Sequence, residues 1–127
     1  MGKAANSSIS LKQIHVTDNF WNKYVHLVKD VIIPYQWDIL NDKLEDVETS
    51  HCIENFKIAA GEKEGEFQGA VFQDTDVAKW LEAVGFVLNY ERDEKLEELA
   101  DETIELIGRA QQPDGYLNTY FTIKEPD

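Results

Sequence analysis

Three polar residues that could bind a ligand or transfer protons precede a patterned apolar stretch in the segment "FQDTDVAKWLEAVGFVL", which begins at Phe72. Gln73, Asp74 and Asp76 place one amide and two carboxylates within four positions. Residues two apart on a helix do not share a face, so the two aspartates are not predicted to work together as acid and base. In the structural interpretation, Asp74 or Thr75 caps the helix, and the negative charge of Asp76 interacts favourably with the positive N-terminal end of the helix dipole. Each contribution stabilises the helix by about 1 kcal/mol.

The alternative interpretation is that this edge binds a ligand. Gln73, Asp74 and Asp76 would then bind substrate hydroxyls, because carboxylates and amides suit the recognition of polyols. Tyr116 and Tyr120, beside a predicted turn, are also placed for ligand contact. No catalytic residue is predicted, since the chain has neither a glycine-rich phosphate loop nor a serine elbow.

His51 and Cys52 are adjacent and both are residue types that bind zinc. A structural zinc site takes four ligands, and the chain supplies no matching second pair, so no metal site is predicted. Cys52 is instead expected to be a small buried apolar residue. His15 and His26 are expected to face solvent or a packing seam.

Aromatic residues are concentrated in the first amphipathic region. Flat rings could stack on sugars, but core packing is the role predicted for most of them. These residues are Phe20, Trp21, Tyr24, Tyr35 and Trp37.

The elements that must position these groups are predicted to be helices. Apolar residues recur at helical spacing after Thr17 or Asp18, either of which can cap the first helix. Pro34 is predicted to close that helix and open the next, which gives helix, turn, helix. Ser50 is predicted to cap a short helix that Gly61 ends.

Two further helices and a turn follow the glycine-rich loop "GEKEGEFQG". The first has an apolar face that includes Val77 and Val84, and the second is capped by Asp93. Pro113–Gly115 is predicted to form a turn. The alternating pattern of residues 116–121 then predicts a short extended segment. The fold class is therefore all-α, with paired antiparallel helices and at most a short strand or hairpin near the C-terminus.

Charge and composition limit the partners and the compartment. The formal net charge of −13 argues against nucleic acid and anionic membranes as partners, because both carry the same sign. The first ten residues lack a signal-peptide core, and no run approaches the ~20 apolar residues of a membrane helix. A single cysteine is typical of a reducing compartment. We therefore expect a cytoplasmic protein.

Four segments, taken in order, resemble one known family. They are "VIIPYQWDILND", "NFKIAAGE", "FQGAVFQDTDVAKWLEAV" and "LIGRAQQPDGYLNTYF". Together they are similar to the amino-terminal part of glycoside hydrolase family 127, the β-L-arabinofuranosidases, over roughly residues 14–121. The "AQQPDGYL" turn by itself is shared with other glycan-active (α/α)6 barrels.

The resemblance implies a domain organisation and a site. Residues 1–13 are predicted to be a flexible leader, and residues 14–127 the amino-terminal helical portion of an (α/α)6 catalytic barrel. The "FQDTD" edge is implied to face the sugar cleft, whose ligand is an arabinofuranoside or a related glycan. The residues predicted to bind substrate are Phe72, Gln73, Asp74, Asp76 and Tyr116.

The resemblance also implies a retaining mechanism with a cysteine thiolate nucleophile, a zinc ion and a glutamate acid and base. These groups are expected beyond residue 127. Cys52 in "SHCIEN" does not match the paired-cysteine motif of the family, so the nucleophile is not assigned to it. This chain alone is therefore expected to hold no cofactor and to be inactive.

An incomplete ring of helices would leave apolar faces open to water. Such faces normally seek a partner, so self-association through them is expected. The alternative function is a stand-alone acidic α-helical binding or interaction module without catalysis.

Overall fold

The computed structural model describes residues 9–126 of the chain. A short 3-10 turn at Leu11–Gln13 precedes six α-helices in the described part. The helices are α1 (Asn19–Leu27), α2 (Ile33–Leu40), α3 (Cys52–Ala59), α4 (Asp74–Tyr90), α5 (Glu94–Ala110) and α6 (Thr119–Lys124). No strand occurs among residues 9–126, so the all-α prediction is confirmed. The partial barrel stays a prediction, and residues 1–8 of the predicted leader lie outside the described residues.

The turn predicted at Pro34 is wrong, because α1 and α2 form one continuous helix. A proline lacks an amide hydrogen, and its ring collides with the carbonyl four residues earlier in a regular helix. A π-helical turn at Val28–Ile32 widens the helix just before the proline. Within it the amide of Ile33 donates to the carbonyl of Val28, five positions back instead of four. This extra residue lets the helix pass through the proline without a break.

The hydrophobic core is centred on α4. Trp80 is almost fully buried, and its indole Nε1 donates to the carbonyl of Ile33 at 3.1 Å. The Trp80 ring also packs on Trp37 of α2, with centroids 4.4 Å apart. Helices α2, α3 and α5 contact α4, and together they bury the apolar faces that the sequence predicted for Val77 and Val84.

The start of α3 differs from the simple serine cap that was predicted. Asp42 and His51 both adopt positive φ, 55° and 56°, which non-glycine residues rarely do. The carboxylate of Asp42 accepts hydrogen bonds from the amides of Ser50 and His51 at 2.6 and 3.0 Å. The Ser50 hydroxyl accepts only a long bond of 3.4 Å from the amide of Cys52. The Asp42 carboxylate, at the other end of the preceding loop, therefore makes the main side-chain hydrogen bonds at the start of α3.

A buried amide attaches the glycine-rich loop to α3. The side chain of Asn55 is almost fully buried and bonds both the amide and the carbonyl of Gln68, at 3.2 and 2.8 Å. This two-point bond mimics a strand pair, so it satisfies two polar backbone groups of a loop that has no regular structure.

The extended piece predicted over residues 116–121 is wrong for its second half. Asn118 adopts an extended conformation, and its side chain accepts from the amide of Phe121 at 3.1 Å. It therefore caps a helix, α6, at the point where alternation suggested a strand. The turn before it is confirmed, with Gly115 at a φ of 92°.

The prediction that most of the early aromatic residues pack in the core is also wrong. No residue of α1 is buried. Trp37 packs on the core, whereas four aromatic side chains are exposed. These four are Phe20, Trp21, Tyr24 and Tyr35.

Candidate functional site

The first turn of α4 does not use the side-chain cap that the sequence suggested. Gln73 precedes the helix in a helical conformation and makes no capping bond with its side chain. The Thr75 hydroxyl donates to the carbonyl of Phe72 at 2.9 Å, so it does not cap either. A turn at residues 70–73 already leads the chain into the helix, which leaves the Asp74 carboxylate free for another contact.

That contact is with the start of α6. One carboxylate oxygen of Asp74 accepts from the backbone amide of Thr119 at 2.7 Å, and the other accepts from the Thr119 hydroxyl at 2.5 Å. Thr119 is almost fully buried. The predicted capping role of Asp74 is therefore wrong for its own helix, because the carboxylate instead satisfies a free amide at the N-terminus of another helix.

Gln73 supports the backbone around it. Its side-chain oxygen accepts from the amide of Ala70 at 3.0 Å, and its carbonyl accepts from the Cys52 thiol at 3.4 Å. Gly69 lies against it with a φ of 100°, and a Cβ there would be 2.7 Å from the Gln73 side-chain oxygen. Phe72 is 66% exposed, so its ring is available to a ligand or to another surface.

Asp76 lines a cleft between α2 and α4, which we call the α2–α4 cleft. Its carboxylate pairs with Lys79 at 3.1 Å at the rim. The cleft has a volume of ≈ 410 Å³. It is lined by Gln36, Ile39, Leu40, Ser50, Asp76, Lys79, Trp80 and Ala83. Its floor is apolar and its rim carries one carboxylate, one ammonium group and one amide.

Tyr116 lines a second cleft, between the turn after α5 and the helix α6, which we call the Tyr116 cleft. Its volume is ≈ 530 Å³. It is lined by Gln112, Pro113, Asp114, Tyr116, Phe121, Thr122, Glu125 and Pro126. The five residues predicted to bind substrate therefore do not converge on one cleft: Asp76 lines one and Tyr116 lines the other.

The turn that presents Tyr116 is held by a ring of local hydrogen bonds. The amide of Gln112 donates to the carbonyl of Tyr116, and the amide of Gly115 donates to the carbonyl of Gln112, both at 2.8 Å. The Asp114 side chain accepts from the amide of Tyr116 at 2.9 Å. Only glycine adopts the positive φ at position 115 without strain, so the "PDGY" sequence itself builds this wall.

The Tyr116 cleft combines aromatic rings with acceptors for hydroxyl groups. Tyr116 and Phe121 are partly exposed at 49% and 37%. Glu125 accepts from the Tyr120 hydroxyl at 2.6 Å, and this hydrogen bond raises the pKa of Tyr120. Partly exposed rings next to carboxylates and an amide suit a ligand that has both apolar faces and hydroxyl groups.

Sequence reasoning missed the residues that link these pieces. Thr119 was not singled out, although it binds Asp74, because the two lie 45 positions apart. Glu125 was also missed, since a lone glutamate near the end of the chain carries no pattern. Gln112 lies within the quoted "AQQPDGYL" segment, which was the available signal.

The candidate metal ligands His51 and Cys52 do not form a cluster. The Cys52 side chain is fully buried, and burial raises its pKa, which favours the thiol over the thiolate. His51 Nδ1 lies 3.4 Å from Asp42. Among residues 9–126, no three His, Cys, Asp or Glu side chains come together as a metal site requires. The zinc ion implied by the resemblance therefore does not fit the described part of the chain.

No helix in the described residues is both long enough and apolar enough to cross a bilayer.

Comparison with known proteins identifies the family. The family model for the β-L-arabinofuranosidase, GH127 catalytic domain, matches residues 13–127. A non-reducing end β-L-arabinofuranosidase from Bifidobacterium longum subsp. longum is 42% identical over 123 residues. That alignment covers 87% of this chain and 19% of the relative, so the chain spans about a fifth of the length of the relative.

Solved structures agree with this match. The crystal structure of a GH127 β-L-arabinofuranosidase from Geobacillus stearothermophilus T6 superimposes with a TM-score of 0.87 at 64% identity. It covers 88% of this chain, which matches 18% of that structure. A second GH127 β-arabinofuranosidase superimposes with a TM-score of 0.77 at 31% identity, over 90% of this chain and 17% of the other. The chain therefore belongs to the β-L-arabinofuranosidases of glycoside hydrolase family 127, and it aligns with part of their catalytic domain.

Proposed function

We propose that this chain forms the amino-terminal part of a glycoside hydrolase that removes β-L-arabinofuranose residues from glycans. The observation that carries this proposal is the match of residues 13–127 to the catalytic domain of the family. The 64% identity to a GH127 structure supports the same substrate class. In this proposal the chain contributes part of the wall of an (α/α)6 barrel.

The Tyr116 cleft is the part of the chain that we propose to contact the sugar. Its support is chemical: partly exposed rings of Tyr116 and Phe121 lie beside the side chains of Asp114, Glu125 and Gln112. Phe72 and Asp76 remain proposed contacts for more distant parts of a glycan. Both carboxylate oxygens of Asp74 and the side-chain oxygen of Gln73 accept internal hydrogen bonds, so we propose that these two residues shape the site. Asp114 and Glu125 each use one carboxylate oxygen internally, and we propose that the other oxygen accepts from a sugar hydroxyl.

The bond-breaking groups are proposed to lie outside this chain. In a retaining hydrolysis, a thiolate attacks the anomeric carbon while a glutamic acid protonates the departing glycosidic oxygen. Water, deprotonated by the same glutamate, then displaces the thiolate and releases the sugar with retained configuration. Cys52 does not suit the attacking role, because it is buried and burial raises its pKa. We propose that any zinc ion is likewise bound by residues of the longer protein.

A cytoplasmic location is part of this proposal. Its support is the single cysteine, Cys52, which is free and buried. The charge of −13 supports a neutral glycan as ligand over nucleic acid or an anionic membrane.

The test compares this chain with a longer protein that contains it. Both are incubated with 4-nitrophenyl β-L-arabinofuranoside, and release of 4-nitrophenol is measured. We expect turnover by the longer protein and none by the 127-residue chain, because this proposal places the nucleophile and the acid outside the latter. Turnover by the short chain would show that the chemistry lies here, and no turnover by the longer protein would contradict the proposed substrate.

A second candidate function is supported by the core. Residues of α2 to α5 form one continuous buried cluster, as expected for a segment that folds by itself. A stand-alone binding module would bind a glycan without turnover even when the remaining chain is added. Measuring binding of the same arabinofuranoside alongside turnover therefore separates the two candidates.

A further inference from the structure

Asp74 joins two elements that are distant in sequence. Its two carboxylate oxygens accept from the amide and the hydroxyl of Thr119, at 2.7 and 2.5 Å. Thr119 is 1% exposed and is the first residue of α6. Hydrogen bonds to a charged acceptor are stronger than those between neutral groups, and enclosure from water strengthens them further. The first turn of α4 is therefore tied to the first residue of α6.

Helix α6 is held by packing on α3 and by this contact with Asp74. It has six residues, far fewer than the ~12 that an isolated helix needs to be stable in water. Its own cap, Asn118, satisfies the amide of Phe121 but not that of Thr119. Asp74 supplies the acceptor for Thr119, so a residue of α4 fixes the first residue of α6, while α3 packs against the rest of the helix.

The same helix forms one wall of the Tyr116 cleft. Phe121 and Thr122 lie on it, and Glu125 follows its last residue. The opposite wall is the rigid turn that presents Tyr116. We propose that Asp74 is a positioning residue for this cleft: it does not contact the ligand, but it holds the α6 wall at the separation from Tyr116 that a sugar ring fits. This inference rests on the proposed role of the cleft in sugar binding.

The binding test uses the 127-residue chain, methyl β-L-arabinofuranoside as probe and Asp74→Ala as the variant. Affinity is measured by NMR titration at a temperature where circular dichroism shows every variant to be fully folded. We expect Asp74→Ala to weaken binding about tenfold, because the first residue of the α6 wall loses its contact with α4. Glu94→Gln is the matched control, since it removes an exposed carboxylate from the first turn of α5 and should bind like the wild type.

Variants at Thr119 test the contact from its other side. Thr119→Ser keeps both donors and should retain wild-type affinity. Thr119→Val keeps the amide but loses the hydroxyl, so it should weaken binding less than Asp74→Ala. Adding Thr119→Val to Asp74→Ala should cause no further loss, because the two changes break the same contact. Additive losses, or wild-type affinity in Asp74→Ala, would overturn the inference.

A ligand-free measurement separates this inference from the proposed function. Backbone amide shifts in Asp74→Ala should change at residues 116–125 and remain unchanged in α5. Shift changes spread over the whole chain, or no change at residues 116–125, would contradict a positioning role. If the wild type does not bind methyl β-L-arabinofuranoside, the proposed sugar contact is wrong, and these shifts alone decide whether Asp74 positions α6.

Discussion

Cys52 opens α3, and its side chain is fully buried against the backbone of the segment before α4. The thiol donates to the carbonyl of Gln73 at 3.4 Å. A nucleophilic cysteine must form a thiolate at working pH, and burial opposes this by favouring the neutral thiol. The prediction that Cys52 is a small buried residue is confirmed. Its role in this chain is to pack α3 against the start of α4.

The buried thiol predicts a pH dependence of stability. Burial raises the pKa of Cys52 above its ordinary value of 9.0, so the unfolded chain ionises first. The stabilisation is fully present below that value and is lost as the pH rises through the pKa of the folded state. We expect the melting temperature of the wild type to fall more steeply above pH 9.0 than that of Cys52→Ala, as measured by circular dichroism. Parallel curves for the two proteins would contradict this.

Helices α4 and α5 have the same length but begin in different ways. Asp93 caps α5, accepting from the amides of Lys95 and Leu96 at 3.2 and 3.1 Å. Helix α4 has no side-chain cap, and its first aspartate binds α6 instead. A local cap depends on residues within a few positions, so the sequence revealed the first arrangement. The second requires knowing which helix ends meet.

The cap of α5 gives a prediction at the level of one helix. Asp93→Ala leaves two amides without a side-chain acceptor, so the free energy of unfolding should fall by about 1 kcal/mol. Asp93→Ser keeps a capping oxygen and should recover most of this loss. Urea unfolding followed by circular dichroism measures both. Equal stability of Asp93→Ala and the wild type would show that water replaces the cap without cost.

At the scale of the whole molecule, one surface stays apolar and open. Trp21 is 61% exposed on α1, and Phe86 of α4 is also exposed. Between these helices lies an open apolar groove of ≈ 540 Å³. It is lined by Val16, Trp21, Tyr24, Val25, Val28, Ala83, Phe86, Val87 and Tyr90. Exposed apolar surface of this kind favours contact with another surface.

Self-association through this groove stays a prediction with a direct test. We expect the elution volume in size-exclusion chromatography with light scattering to depend on concentration. Because the charge of −13 opposes association, added salt should strengthen it. Trp21→Ser should weaken association, whereas Ile104→Ser, at an exposed position on α5, should not. A monomer that is unchanged by concentration and salt would exclude association.

Much of the fold and part of the site were predictable because they depend on neighbouring residues. Helical apolar spacing predicted the all-α fold. The cap at Asp93 was predicted from its position, and the first cap was predicted at Thr17 or Asp18, of which the structure shows Asp18. The positive φ of Gly115 was also expected from its turn. The ordered segments that resemble family 127 indicated the family that the comparisons support.

Tertiary structure decided the rest, because those features depend on which distant elements meet. Periodicity places Trp21 on a helical face but does not say whether another helix covers that face. A proline at position 34 is compatible either with a turn between two helices or with one helix that contains a π-helical turn. The structure has the second arrangement, with α2 packed on α4. A carboxylate at position 74 is able to cap its own helix, to bind a ligand or to accept a hydrogen bond from a distant amide. Only the approach of α6 to α4 determines that it binds Thr119.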